Sequence, residues 1–228
     1  MNAAVQHEAL TRSVEDYLKA IYRLSPPGRT ASTSEIAQRL ELAPASVSGM
    51  VKRLSEQGLL EHVPYKGVQL TAEGRRAALR MLRRHRLIEA YLVAFLGYTW
   101  DTVHEEAERL EHAVSDTMIE RMAAVLGNPT VDPHGDPIPT RDGDIEEVAS
   151  VPLSDVPAGA RVEVRQVEES QPERLRYIAS VGLKPGVHVT VLDRQPFQGP
   201  ITIEVAGRTH VIGTELGQVV RCASGEDV

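Results

Sequence analysis

The sequence predicts a mainly α-helical chain that ends in a small β domain. Three observations carry this. Residues 1–71 hold a helix–turn–helix pattern with a hairpin behind it. Residues 72–140 read as helices with ligand-type side chains on one face. Residues 151–228 hold five short alternating segments separated by glycine-bearing turns. A polar, acidic linker, 141–150, joins the last two parts.

Residues 7–24 form the first amphipathic helix. Val14, Tyr17, Leu18, Ile21, Tyr22 and Leu24 recur at helical spacing, and Ser25-Pro-Pro-Gly28 stops it. Asp16 points off the apolar face and, taken alone, reads as a solvated residue. Ser32-Thr-Ser-Glu35 is a capping sequence leading into Ile36–Leu40. Leu42-Ala-Pro44 makes the turn, and Pro44 suits the first turn of the next helix, where its missing N–H costs nothing. That helix runs to Leu54 and stops at Gln57-Gly58. Val47, Met50, Val51 and Leu54 face inward, leaving Ser46, Ser48, Gly49, Lys52 and Arg53 outward. A small, hydroxyl-bearing, cationic face suits a DNA major groove and its phosphates. Leu59–Leu70 then reads as a hairpin turning at Tyr65-Lys66-Gly67. A hairpin there is the wing of a winged helix, with Tyr65 and Lys66 at the tip that meets the DNA backbone. A helical bundle with no DNA partner fits less well, because cap, turn, glycine stop and wing occur in the correct order.

Thr71-Ala-Glu-Gly74 opens a long helix running to about Phe95, which carries Arg75, Arg76, Arg80, Arg83, Arg84 and Arg86. His85 and Glu89 share a face at i, i+4, a pair that by itself is most often a solvated contact. After Gly97-Tyr98-Thr99, residues 102–112 read as one helix. Relative to His104, Glu108 lies at about +40°, Glu111 at about −20° and His112 at about +80°. Two imidazoles and two carboxylates thus share roughly a third of the circumference, which suits a divalent metal whose remaining ligands come from elsewhere. Ser115-Asp116 caps a further helix, 117–126, whose Met118, Ile119, Met122, Val125 and Leu126 suit a dimer face or core. Asp132–Pro139 is a proline- and glycine-rich loop, and His134 reads as a surface histidine within it, with a ligand role as the weaker alternative.

In the last part, strands are expected at 162–167, 187–192, 201–205, 210–212 and 218–221, with a short helix at 172–180. Five short strands suggest a small barrel.

Composition narrows the function classes. The chain has 228 residues, 42% of them hydrophobic, and one cysteine, Cys222. One cysteine excludes an internal disulfide framework and a cysteine-based zinc site. There is no apolar run long enough for a membrane helix and no signal-peptide pattern at the N-terminus, so a cytoplasmic protein without a membrane partner is expected. The net charge of −7 is unevenly spread. Lys+Arg outnumber Asp+Glu 14 to 9 over residues 1–100 and are outnumbered 11 to 23 over residues 101–228. The basic half suits a polyanion and the acidic half does not. No HExxH, nucleophile elbow or phosphate-binding loop occurs. The reading is therefore not an enzyme and has no small-molecule substrate. A metallohydrolase built on the His/Glu cluster and a metal-blind winged-helix protein are the weaker alternatives.

The sequence resembles the diphtheria toxin repressor family of iron- or manganese-dependent bacterial regulators. The resemblance covers nearly the whole chain. It rests on Glu15–Tyr22, the helix–turn–helix with Pro44, Arg84–Glu89, Val103–His112 with Ser115-Asp116, and Gly135–Pro139. It implies a winged helix-turn-helix, a helical metal-binding and dimerisation domain, and a C-terminal SH3-like barrel related to the ferrous-transport A-type domain. It also implies a homodimer on a pseudopalindromic double-stranded DNA operator. Two metal sites follow from the resemblance: a regulatory site of Asp16, Glu108, Glu111 and His112, and an ancillary site of His85, Glu89, His104, Glu168 and Gln171. Iron-sensing members carry a methionine and a cysteine at the positions of Asp16 and Glu108. Carboxylates there make the set harder and suit Mn(II), with Fe(II) as the alternative. Manganese-sensing members have a glutamate where this chain has Lys19, so a separate ancillary site is expected in place of their closely spaced ion pair. Ser46 and Ser48 match phosphate-contacting positions. Ala45 and Gly49 replace a base-contacting proline and glutamine, so the operator sequence does not carry over.

Overall fold

The computed structural model describes residues 10–26, 28–146, 149–168 and 171–223. It forms two compact units, Met1–Arg84 with Pro139–Asp144, and His85–Ile138 with Ile145–Val228.

The first unit begins with α1 (Arg12–Leu24), α2 (Thr33–Leu40) and α3 (Pro44–Glu56). The expected start of α1 at residue 7 lies outside the described residues, and Thr11 is the N-cap. Ser32 and Glu35 close a capping box: Ser32 Oγ accepts from the Glu35 N–H at 3.2 Å, and Glu35 Oε2 accepts from the Ser32 N–H at 2.9 Å. Pro44 occupies the first turn of α3, as its fixed φ and missing donor favour. The hairpin pairs β1 (Leu60–Val63) with β2 (Gly67–Leu70). Ala31 adds a third rung by exchanging two 2.9 Å backbone hydrogen bonds with Val68. Leu18, Ile21, Ile36, Val47, Leu54 and Val68 fill the core, so α3 and the wing are fixed against the same apolar cluster.

Helix α4 (Ala72–Leu96) starts where Thr71 Oγ1 accepts from the Gly74 N–H at 3.1 Å. Its 25 residues begin in the first unit and continue into the second. There α5 (Val103–Leu110) and α6 (Asp116–Val125) pack on it around Leu87, Ile88, Leu92, Val103, Ala107 and Ile119. The sequence predicted α5 to run to His112, and it ends at Leu110. Glu111 keeps helical angles (φ −57°, ψ −29°) and its N–H still donates to Ala107 O at 2.9 Å, so the predicted face is preserved.

The rest of the second unit is one antiparallel sheet with two helices. Its elements are β3 (Ser150–Pro152), β4 (Arg161–Val167), α7 (Pro172–Val181), β5 (His188–Arg194), β6 (Ile201–Val205), β7 (Arg208–Ile212), α8 (Thr214–Val219) and β8 (Val220–Ala223). The strand order is β3-β8-β4-β5-β6-β7. Register shifts in β4 and β5 are bulges, which bend the sheet around Val164, Val189, Ile203 and Cys222. Two details differ from expectation. Among the described residues six strands form, not five, because three-residue β3 is too short to show alternation. Residues 218–219 close α8 and do not open a strand. The N–H groups of Leu216 and Gly217 turn back onto Gly213 O, and the strand starts at Val220.

The loop between α6 and the linker is clamped to the sheet. Gly135 has φ +86°, and a Cβ added there would lie 2.0 Å from Arg165 O. Beside it the Val167 N–H donates to His134 O at 2.9 Å. Among the described residues, no helix is long and apolar enough to cross a membrane.

Gly135 and Gly159 separate two costs. Both have φ +86°, but a Cβ on Gly159 would meet nothing within 4 Å. Gly159→Ala is expected to lose about 1–2 kcal/mol, from left-handed backbone alone. Gly135→Ala adds a backbone clash and is expected to lose about 3 kcal/mol or more. Urea denaturation measures both, and equal losses would refute the close approach at Gly135.

Candidate metal centre and nucleic-acid interface

The second half of α4 presents His85 and Glu89, one turn apart, into the interior, where they are 1% and 2% exposed. Read alone, that pair suggested a solvated contact. The structure corrects this, because α5 and the loop at 131–138 cover the face that carries it. His85 Nδ1 donates to Glu111 Oε2 at 2.6 Å, and Nε2 to Glu89 Oε1 at 2.9 Å. From α5, His104 Nδ1 lies 3.0 Å from both Glu89 Oε1 and His85 Nε2. Glu108 Oε1 sits 3.7 Å from His85 Nδ1 and 3.8 Å from His104 Nε2. His112 Nε2 lies 3.3 Å from Glu111 Oε1.

Burial alone would strip the proton from His85. The Glu89 charge and the hydrogen bonds to Glu111 and Glu89 outweigh it and push the imidazole up to about 9. Burial works against ionised Glu89 too, yet the His85 charge, the His104 hydrogen bond and the nearby His134 ring hold its carboxyl well below the usual range. The centre is thus a buried imidazolium between carboxylates.

The loop supplies two further ligand-type residues, His134 and Asp132. His134 is buried, not on the surface, because Gly135 pins the loop to β4. Its Nε2 lies 2.9 Å from Trp100 O, its ring stacks on Trp100, and its Nδ1 lies 3.8 Å from Glu89 Oε2. Asp132 is buried beside it. Asp132 Oδ1 accepts the N–H groups of His134 (2.8 Å) and Asp136 (3.0 Å), capping the loop. Burial and the charges of Asp136 and Glu89 push the Asp132 carboxyl up to about 8, against the pull of Arg86 and His134. Within the loop, Asp132-Pro-His is a short carboxylate–imidazole spacing that could have drawn notice, but nothing local signals its burial.

The other predicted ligands stand as follows. Asp16 is half-buried on α1 in the first unit. Glu168, at the end of β4, is exposed and 3.8 Å from Arg221 Nε, and Gln171 is the exposed N-cap of α7. The fit to a divalent cation is good in the second unit. His85, His104 and Glu108 offer ligand atoms within 4.8 Å of one another, as do Glu89, Asp132 and His134. All donors are oxygen or nitrogen. The one thiol, Cys222, is buried in the sheet core and pushed up to about 12 by burial, so it is no thiolate ligand.

In the first unit, Ala45, Ser46, Ser48, Gly49, Lys52 and Arg53 are all exposed on α3. Ser48 Oγ donates to Pro44 O at 3.0 Å, so only its lone pairs face outward in this rotamer. Tyr65, at φ 61°, projects fully from the wing tip beside exposed Lys66. Thr30 Oγ1 braces that tip by donating to Lys66 O at 2.7 Å.

Known proteins match this geometry along the chain. Residues 9–68 match the iron dependent repressor N-terminal DNA binding domain, residues 71–140 its metal binding and dimerisation domain, and residues 151–223 the FeoA domain. The iron-dependent repressor IdeR of Mycobacterium leprae is 35% identical over 214 residues, covering 89% of this chain and 92% of its own. The diphtheria toxin repressor of Corynebacterium diphtheriae is 30% identical, covering 93% and 97%. Among solved structures, a manganese-dependent transcriptional repressor in complex with manganese superposes with a TM-score of 0.85 at 40% identity, covering 92% of this chain and 99% of that one. With an N-terminal DNA-binding domain, a metal-binding dimerisation domain and a FeoA domain in that order, the chain belongs to the iron-dependent repressor family that includes the diphtheria toxin repressor.

Proposed function

We propose that this metal-dependent DNA-binding repressor senses Mn(II), with Fe(II) as the alternative, and controls metal-ion homeostasis. The observation that carries the choice is the donor chemistry. Asp16 and Glu108 stand where iron sensors of the family have methionine and cysteine, which leaves only oxygen and nitrogen donors. Hard donors suit Mn(II), although intrinsic affinity still rises toward later metals. The manganese-dependent repressor noted above, at 40% identity, supports the same choice. The 35% identity to an iron-dependent repressor keeps Fe(II) as the second reading.

The regulatory ion is held by Asp16, Glu108, Glu111 and His112, and the ancillary ion by His85, Glu89 and His104, with Glu168 and Gln171. Without metal, the regulatory carboxylates repel one another. A divalent cation neutralises them and ties the DNA-binding domain to the dimerisation helices. Exposed Met118 and Val125 of α6, with Phe95 and Leu96 of α4, form the homodimer surface. A two-fold dimer presents two α3 helices about one DNA turn apart to a pseudopalindrome. Ser46, Ser48, Lys52, Arg53, Tyr65 and Lys66 contact phosphate, and Ala45 and Gly49 lie against the bases.

The test is titration of a duplex selected from random-sequence DNA, with Mn(II), with Fe(II) and without metal. Mn(II) is expected to tighten binding at least about tenfold, the low end of allosteric coupling. Asp16→Ala and Glu111→Ala should remove that gain, and His85→Ala should reduce it less. Equal binding without metal would sink the proposal, and a larger loss from His85→Ala would reverse the order of the two sites.

Metal uptake is also a proton exchange. His85 carries a proton up to about pH 9, and a ligating imidazole must be neutral. An ion entering beside His85 must expel that proton, so binding weakens as pH falls. For one proton, apparent affinity should drop about tenfold per pH unit from 8 to 6. Calorimetry in two buffers of different ionisation heat should count about one proton released at pH 7. A count of zero would refute the exchange.

A further inference from the structure

We propose that Glu89 is a bridging carboxylate, and that with Asp132 and His134 it forms a second divalent-cation position beside the ancillary one. The inference rests on that ancillary position and adds a neighbour to it.

Glu89 turns its two oxygens to opposite sides. Oε1 faces His85 and His104 at 2.9 and 3.0 Å, and Oε2 faces His134 Nδ1 at 3.8 Å. Asp132 completes the second set, and all three of its residues are buried. Metal–donor bonds of about 2.1 Å put two donors at right angles about 3 Å apart, and two donors at wider angles roughly 3.6–4.2 Å apart. The first set has the narrower spacing. In the second, Glu89 and His134 have the wider one, which is too long for a hydrogen bond.

His134 is already oriented as a ligand. Nε2 donates to Trp100 O, which turns Nδ1 toward Glu89, and against burial Glu89 and Asp132 keep the ring protonated, so an entering ion takes Nδ1 by displacing its proton. A ring N–H given to a carbonyl is the usual outer partner of a metal-bound imidazole. Asp132 is fixed through Oδ1 by the two backbone N–H groups of its own loop.

A competing reading makes Arg86 the resident cation. Its hydrogen bonds go elsewhere: Nη2 donates to Asp136 Oδ1 at 2.9 Å, and Nη1 donates to Pro137 O. Arg86 Nε meets Asp132 Oδ2 only at ion-pair distance, 3.8 Å, too long for a hydrogen bond. The ligand atoms of Glu89, Asp132 and His134 lie within 4.8 Å of one another, two carboxylates and one imidazole, a donor set for Mn(II) or Fe(II).

Electron paramagnetic resonance of the full chain titrated with MnCl2, alongside equilibrium dialysis, tests this. Two Mn(II) ions sharing a carboxylate are exchange-coupled, so part of the six-line signal should vanish as the pair fills. The wild-type chain should hold one ion more than His134→Gln or Asp132→Asn, and both variants should lose the coupled species. Asp132→Asn keeps the oxygen that caps the loop, so it guards against simple unfolding. An unchanged ion count and spectrum in both variants overturns the proposal. If His104→Ala also leaves the count unchanged, the ancillary position has failed as well, and the two failures are told apart.

Discussion

Glu89 is an anion placed where water does not reach, and much of the second unit is arranged so that it can stay there. An isolated buried carboxylate would neutralise or force the fold open. Here His85 and His104 meet one oxygen, and His134 approaches the other. His85 needs Glu111 on its far nitrogen, so the compensation runs as a chain from the loop through α4 to the end of α5. Removing one member would leave a charge buried without its counterpart, which costs more than an intact pair contributes. Such a network is a poor source of stability. It is a well-prepared place for a cation, because the negative charge is already desolvated and held in position.

The arrangement also explains why the sheet domain is clamped to the helical one within the second unit. His134 reaches Glu89 only if its loop is pressed inward. Gly135 on Arg165, the Val167 N–H on His134 O, and Gln166 Nε2 donating to Asp136 Oδ1 at 2.9 Å do the pressing. Trp100 contributes from the other side. Its carbonyl fixes His134, and its indole N–H donates to Leu175 O of α7 at 3.3 Å. The β domain therefore shapes the cluster around Glu89 through this loop and Trp100, apart from any ligand that it contributes itself.

What was legible in the sequence follows from the range of the interactions. The capping box at Ser32, Pro44 at the head of α3 and the wing turn at Tyr65 are set by neighbours in sequence, and all were readable. The shared face of His104, Glu108, Glu111 and His112 is set by helical periodicity, and survived even though α5 ends two residues early. Burial of His85, Glu89 and His134 is set by what packs over them from distant positions. Periodicity carries no information about that, so a solvated pair and a surface histidine were the natural local readings. β3 was missed for a different reason: three residues cannot display an alternation.

Position in this centre matters as much as donor type. Glu111 belongs by resemblance to the regulatory set and His85 to the ancillary one, yet they share a 2.6 Å hydrogen bond. Glu89 and His104 both face His85 Nε2, so an ion held with them would take the proton from Nε2 and leave Nδ1–H on Glu111. That hydrogen bond orients a ligand of each set at once. Filling one position would thereby pre-set a ligand of the other, a coupling that must act equally in both directions.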